Sequence, residues 1–123
     1  MYPEYVPGLK DLQGFSHIIL VYHFHRLTHW KPNVTPFLGS EPHGIFATRA
    51  PARPNPIGIS VVRLAGIEGN LLFIDNLDVL DGTPLLDVKP YVPGFDEATN
   101  VRIGWLEGVI DQLKKTRSDD RFK

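Results

Sequence analysis

His43-Gly44-Ile45-Phe46-Ala47-Thr48-Arg49-Ala50-Pro51-Ala52-Arg53-Pro54-Asn55-Pro56-Ile57-Gly58-Ile59-Ser60 is the stretch on which the architecture of this chain turns. Ile45 and Phe46 read as an apolar, strand-like entry. Arg49 and Arg53 follow, with Pro51, Pro54 and Pro56 around them, and Ile57 opens an apolar exit strand. Proline fixes φ and removes a backbone donor, so the middle of this run cannot pair as an ordinary strand. A stiff loop carrying two guanidiniums suits an anion or a carboxylate, because its shape is set before the ligand arrives.

Outward from that loop the chain reads as β-dominated. Eleven glycines and eleven prolines break it into short apolar runs. Ile18 to Phe24 is a strand, apolar on both faces until His23. From Ile57 to Leu64 the residues alternate, with Ile57, Ile59, Val61 and Arg63 on one face and Gly58, Ser60, Val62 and Leu64 on the other. Gly69-Asn70 is a two-residue hairpin turn, and Asp81-Gly82 a second turn leading into Leu85 to Val88. Residues 26–42 and 90–94 read as loop, and Pro7 to Leu12 as a turn with a short helical piece. Asn100 is a candidate cap for a C-terminal helix whose Ile103, Leu106, Ile110 and Leu113 share a face. The expectation is a mainly β chain: a small antiparallel β-barrel with short helices, one of them C-terminal.

Composition narrows the function classes. At 123 residues the chain is most simply one domain with a single core. It contains no cysteine, hence no disulfide, thiolate ligand or cysteine nucleophile. It carries no signal-peptide pattern and no apolar run long enough to span a bilayer, so the cytoplasm is the default setting, with no membrane partner. A net charge of −1 argues against a generic nucleic-acid binder, although residues 114–123 form a basic tail. His23, His25 and His29 are spaced as H-x-H-x3-H, with His23 and His25 on one strand face. Core or surface histidines explain that spacing better than a metal does, and no metal is expected. Asp87 and Lys89 share a strand face and read as an ion pair.

The His43–Ser60 stretch also resembles the signature of the TsaA-like, TrmO-type family. Three further segments are similar to that family in the same order: Gly14 to Ile18 running on to His23-Phe24-His25, then Leu80 to Tyr91, then Gly104-Trp105-Leu106. Four ordered motifs are far more specific than one. The resemblance implies a small antiparallel barrel that binds S-adenosylmethionine without a Rossmann sheet, in keeping with the lack of a G-x-G-x-x-G turn here. It implies methylation of N6 of threonylcarbamoyl-modified adenosine 37 in tRNA, by a homodimer. The alternative is an S-adenosylmethionine-binding module or sensor without methyltransferase activity of its own.

Carried over residue by residue, the resemblance makes His25, Arg26, Arg49, Ile59, Asp81, Gly82, Thr83 and Pro84 candidate cofactor contacts. Arg53 and Asn55 become candidate substrate contacts. His43 is a separate, weaker candidate, and no catalytic residue is assigned. Ile59 matches a position whose backbone lies near the cofactor adenine, while its side chain reads equally well as core. Family members begin with a further strand and a Pro-x-Gln-Pro loop. Here the chain starts at Met1-Tyr2-Pro3-Glu4-Tyr5, so the expectation is that this strand is missing. Bacterial members also carry an Arg-Pro-Pro-Arg-type loop where this chain has Lys31 to Gly39, and a larger C-terminal domain.

Overall fold

A computed structural model describes residues 1–36 and 39–110 of the chain. It divides into two compact units, one of Met1–Trp30 with Pro51–Glu97, the other of Lys31–Ala50 with the chain from Ala98 onward.

The first unit is an antiparallel four-stranded sheet of β1 (His17–His23), β4 (Ile57–Glu68), β5 (Leu71–Asp75) and β6 (Leu85–Pro90), in the order β5-β4-β1-β6. β1 is central. It pairs Val21 with Ile59 on one side and with Asp87 on the other. Ile18, Leu20 and Tyr22 point to the inner face and form the core with Val62. Leu12, Leu64, Leu72, Ile74, Leu77, Val79 and Val88 pack around them. Gly69, at φ 60°, is the first central residue of the β4–β5 hairpin, where a two-residue turn favours glycine. Gly82, at φ 82°, is the second central residue of the Leu80–Thr83 turn before β6, the position where such a turn calls for positive φ. Short 3-10 segments at Pro3–Leu9 and Leu12–Gly14 precede the sheet, and one turn of α1 (Pro93–Asp96) follows it.

The mainly β expectation holds, with a few short helices. The barrel is not found: β5 and β6 are not paired with each other among the described residues, and the sheet is open. Closing a barrel takes strands tilted and staggered so that the two edges meet, and here β5 and β6 stay at opposite edges of the sheet among the described residues.

The edge at β6 is protected. Tyr91 N–H donates to His17 O, so alternation along the antiparallel pair turns Val88 and Pro90 outward. Val88 N–H is taken by its neighbour, Asp87 Oδ1, at 2.8 Å, and Pro90 has no N–H to offer.

In the second unit β2 (Asn33–Val34) pairs with β3 (His43–Gly44). The expected strand-like entry at Ile45-Phe46 is instead a 3-10 turn, Ile45–Ala47. The side chains explain it: Ile45 is buried, Phe46 is exposed, and Thr48 bonds back onto the turn. Residues 106–110 are helical. Asn100 does not cap them. It sits in the left-handed region at φ 56°, and Gly104 at φ 57° re-aims the chain just before the helix. Leu113 and the basic tail lie outside the described residues.

Candidate functional site

The end of β1 gathers most of the expected site residues. His23 N–H donates to Pro84 O at 3.0 Å, and Phe24 N–H donates to Pro56 O at 2.8 Å. These two bonds place the Asp81–Pro84 turn on one flank of the strand end and the Arg53–Pro56 loop on the other. His25 and Arg26 form the exposed turn that follows. The strand stops at His23, so His23 and His25 do not share a strand face as the spacing suggests. No cluster of three metal-ligating side chains exists among the described residues.

Each flank is set by local chemistry. Ile57 N–H bonds back to Asn55 O at 2.8 Å, a tight turn about Pro56 that launches β4. On the other flank Leu80 O accepts from Thr83 N–H at 3.1 Å and from Thr83 Oγ1–H at 2.5 Å. With Gly82 supplying the positive φ, Asp81 is left at the crest of the turn, exposed. Neither the Asp81 carboxylate nor the Arg26 guanidinium has a partner among the described residues.

The two faces of β4 differ sharply. Inside, Tyr22 lies over Gly58: a Cβ built there would fall 2.4 Å from Tyr22 Cε2 and 2.9 Å from Phe24 Cε2. Tyr22 meets Phe24 edge-on at 5.4 Å and shares a 2.6 Å hydrogen bond with Ser60 Oγ. Outside, Ile57, Ile59 and Val61 are 46%, 51% and 51% exposed. The side chain of Ile59 is therefore not core. It stands beside Val21 on the open face of the sheet.

Three concavities open on this unit among the described residues, and two of them border the Asp81–Pro84 turn. A cavity of about 260 Å³ lies on the inner face, among Leu20, Tyr22, Leu72, Ile74 and Leu85. A groove of about 990 Å³ runs between the Pro3–Leu9 segment and β6. Thr83 lines both and Pro84 lines the groove, whereas His25, Arg26, Ile59 and Asp81 line neither. Of the expected cofactor contacts, His25, Arg26, Ile59 and Asp81 thus lie on the open sheet, while Thr83 and Pro84 border the hollows. Asp87, on β6, meets Lys89 Nζ at 3.0 Å as expected. That hydrogen bond first, and the Val88 N–H second, hold the Asp87 carboxyl below its usual range.

Arg49 belongs to the other unit, where it is exposed and has no partner among the described residues. The residue before it is fixed. Thr48 is buried, and its Oγ1 donates to Ile45 O at 2.9 Å and accepts from Ala50 N–H at 3.3 Å. His43 stacks on Trp105 at 4.3 Å, and Trp105 Nε1–H donates to Ala47 O at 2.8 Å. His43 is thereby a packing partner of an indole.

The tRNA-methyltransferase O N-terminal domain family matches residues 1–97. The chain belongs to the TrmO family. A probable S-adenosyl-L-methionine-binding protein of Pyrococcus abyssi is 62% identical over 122 residues, which cover 99% of this chain and 66% of that protein. The mouse tRNA (adenine(37)-N6)-methyltransferase is 38% identical over 104 residues, covering 82% of this chain and 24% of that enzyme. The crystal structure of TrmO from Pseudomonas aeruginosa superposes with a TM-score of 0.64 at 43% identity, covering 81% of this chain and 42% of that one. The chain thus spans from about a quarter to about two thirds of these TrmO-family relatives.

The residues at the sheet end fit the chemistry of S-adenosylmethionine. That molecule carries a carboxylate, an ammonium, a sulfonium and a flat adenine. Arg26 offers a cation and Asp81 a carboxylate, both without a partner among the described residues, and Ile59 an exposed apolar surface. The sequence alone did not point to Tyr22 and Gly58, which pack against each other on the inner face of the sheet, or to Thr48, which is buried next to Arg49 in the other unit. Their only signal is the small Gly-x-Ser alternation opposite an aromatic strand, and a Thr directly before an arginine.

Proposed function

We propose that this chain binds S-adenosylmethionine and transfers its methyl group to N6 of threonylcarbamoyl-modified adenosine 37 in tRNA, as a cytoplasmic homodimer. The observation that supports this best is the pair of backbone hydrogen bonds at the end of β1, from His23 to Pro84 and from Phe24 to Pro56. They bring His25, Arg26, Asn55 and the Asp81–Pro84 turn to one end of one sheet in a TrmO-family chain.

Bound S-adenosylmethionine supplies an electrophilic methyl group, and the protein's part is alignment and exclusion of water. Arg26 and Arg49 are suited to its carboxylate, each able to form a charge-assisted, bidentate pair. Asp81, at the crest of its turn, suits the ammonium or a ribose hydroxyl. Ile59 gives the adenine an apolar surface on the outer face of β4. Arg53 and Asn55, in the stiff loop beside the strand end, are assigned to the RNA. The homodimer draws on the same outer face, where Ile57 and Val61 of β4 and Phe73 of β5 are exposed. An apolar patch of this kind on one protomer is suited to its two-fold copy.

The test is methyl transfer to tRNA that carries the threonylcarbamoyl group, with tRNA lacking it as the control. Incorporation at N6 of adenosine 37 in the first only is the expected result. Replacing Arg49 by Ala should weaken S-adenosylmethionine binding by about 1.5–3 kcal/mol, the worth of a hydrogen bond to a charged group. Binding without transfer would favour the second reading, a binding module or sensor, in line with the archaeal relative named for binding alone.

A further inference from the structure

The groove beside β6 lies apart from the residues assigned above, apart from the Thr83-Pro84 corner. One wall is the Pro3–Leu9 segment, which presents Tyr2 at 71% and Tyr5 at 60% exposure. Their ring centroids are 6.3 Å apart with the planes tilted by 54°, so each ring offers its own face. The wall is rigid. Pro3 and Pro7 fix φ, Tyr5 N–H bonds to Tyr2 O at 3.0 Å, and Asn70 Nδ2 donates to Met1 O at 2.9 Å. Across the groove stand the exposed side chains of Leu85 and Leu86.

Two observations decide what such a groove takes. A peptide strand is disfavoured, since the outward N–H of Val88 is already bonded to Asp87 and Pro90 has none. Phosphate is disfavoured too, because the charged side chain that lines the groove among the described residues is a carboxylate, Asp87. What remains is a flat, largely uncharged ring system. About 990 Å³ lies at the upper end of the usual range for small-ligand sites, enough for more than one such ring.

We propose that this groove is a stacking site for unpaired bases of the RNA, with Tyr2 and Tyr5 as its platform. The subsite presupposes an RNA substrate, the reading given above, and adds where its single-stranded part is held. Base–aromatic stacking is tolerant of sequence and depends weakly on salt compared with phosphate contacts.

The test is fluorescence anisotropy of the full chain with a short unstructured oligoribonucleotide and with a duplex of the same sequence. Tyr2→Ala and Tyr5→Ala should each weaken single-strand binding by about tenfold. Tyr2→Phe and Tyr5→Phe should retain it, since the ring is kept. Duplex binding and S-adenosylmethionine affinity should be unchanged in all four variants. If the wild-type chain binds the single strand and the alanine variants bind it equally well, the subsite is wrong while the RNA reading stands. Phenylalanine variants as weak as the alanine ones would also overturn it, by assigning the effect to the hydroxyls. A wild-type chain that binds no RNA would overturn both.

Discussion

The two faces of β4 are chemically inverted. The buried face carries Gly58, Ser60, Val62 and Leu64, and the open face carries Ile57, Ile59, Val61 and Arg63. Stability alone would place the β-branched residues inside and the small or polar ones outside. The inner face gives up that volume to a single side chain, Tyr22, whose ring fills the space above Gly58 and whose hydroxyl meets Ser60. The outer face holds three large apolar side chains in solvent. The contrast separates two tasks. The inner face packs Tyr22 against Gly58 and Ser60, and the outer face leaves apolar surface exposed, the surface on which the proposed ligand and dimer contacts draw.

The most damaging way to break the contrast is to fill the inner face. Gly58→Ala puts a methyl 2.4 Å from the Tyr22 ring. It should destabilise the fold by about 2–3 kcal/mol, read as a lower urea midpoint with an unchanged m-value. Tyr22→Phe removes only the 2.6 Å contact to Ser60, and it should cost about 1 kcal/mol in the same experiment.

The smallest effect is expected at the sheet's edge. The Asp87 carboxyl is held below its usual range by Lys89, so the pair stabilises the folded state above the unfolded carboxylate pKa. That contribution fades as pH falls through the lowered folded value. Because both side chains are largely exposed, Asp87→Asn should flatten the acid limb of the stability profile only slightly, and high salt should do the same.

Much of this was legible in the sequence, and the failures share a cause. β1, the β4 alternation, the Gly69-Asn70 hairpin, the Asp81-Gly82 turn and the Asp87–Lys89 pair depend on neighbours a few residues apart, and local chemistry gives them away. Which side of β4 faces inward was not legible, because alternation gives a period and not a direction. That choice is made by Tyr22, distant in sequence, which needs a glycine opposite it. Ile45-Phe46 looked like a strand because both residues favour one. The burial of Ile45 and the hydrogen bond from Thr48 curl it into a 3-10 turn instead. Barrel closure was expected from resemblance and from the number of short strands, but closure is decided by whether the last two edges meet, and β5 and β6 do not. Among the candidate site residues, each of His25, Arg26, Asn55 and Asp81 was legible from its motif, but their meeting at the end of β1 depends on backbone hydrogen bonds from His23 to Pro84 and from Phe24 to Pro56. Tyr2 and Tyr5 gave no signal of their own, lying ahead of the turn read at Pro7 to Leu12.

The most direct measurement is calorimetric titration of the chain with S-adenosylmethionine, against ATP as a control, for the wild type, Ile59→Thr and Asp81→Asn. Both positions are exposed, so both variants should melt like the wild type. Selective binding by the wild type, weakened by about tenfold in each variant, is the predicted result. No binding by the folded wild type, or full affinity in both variants, would contradict the assignment of the ligand to the open face and the Asp81 turn.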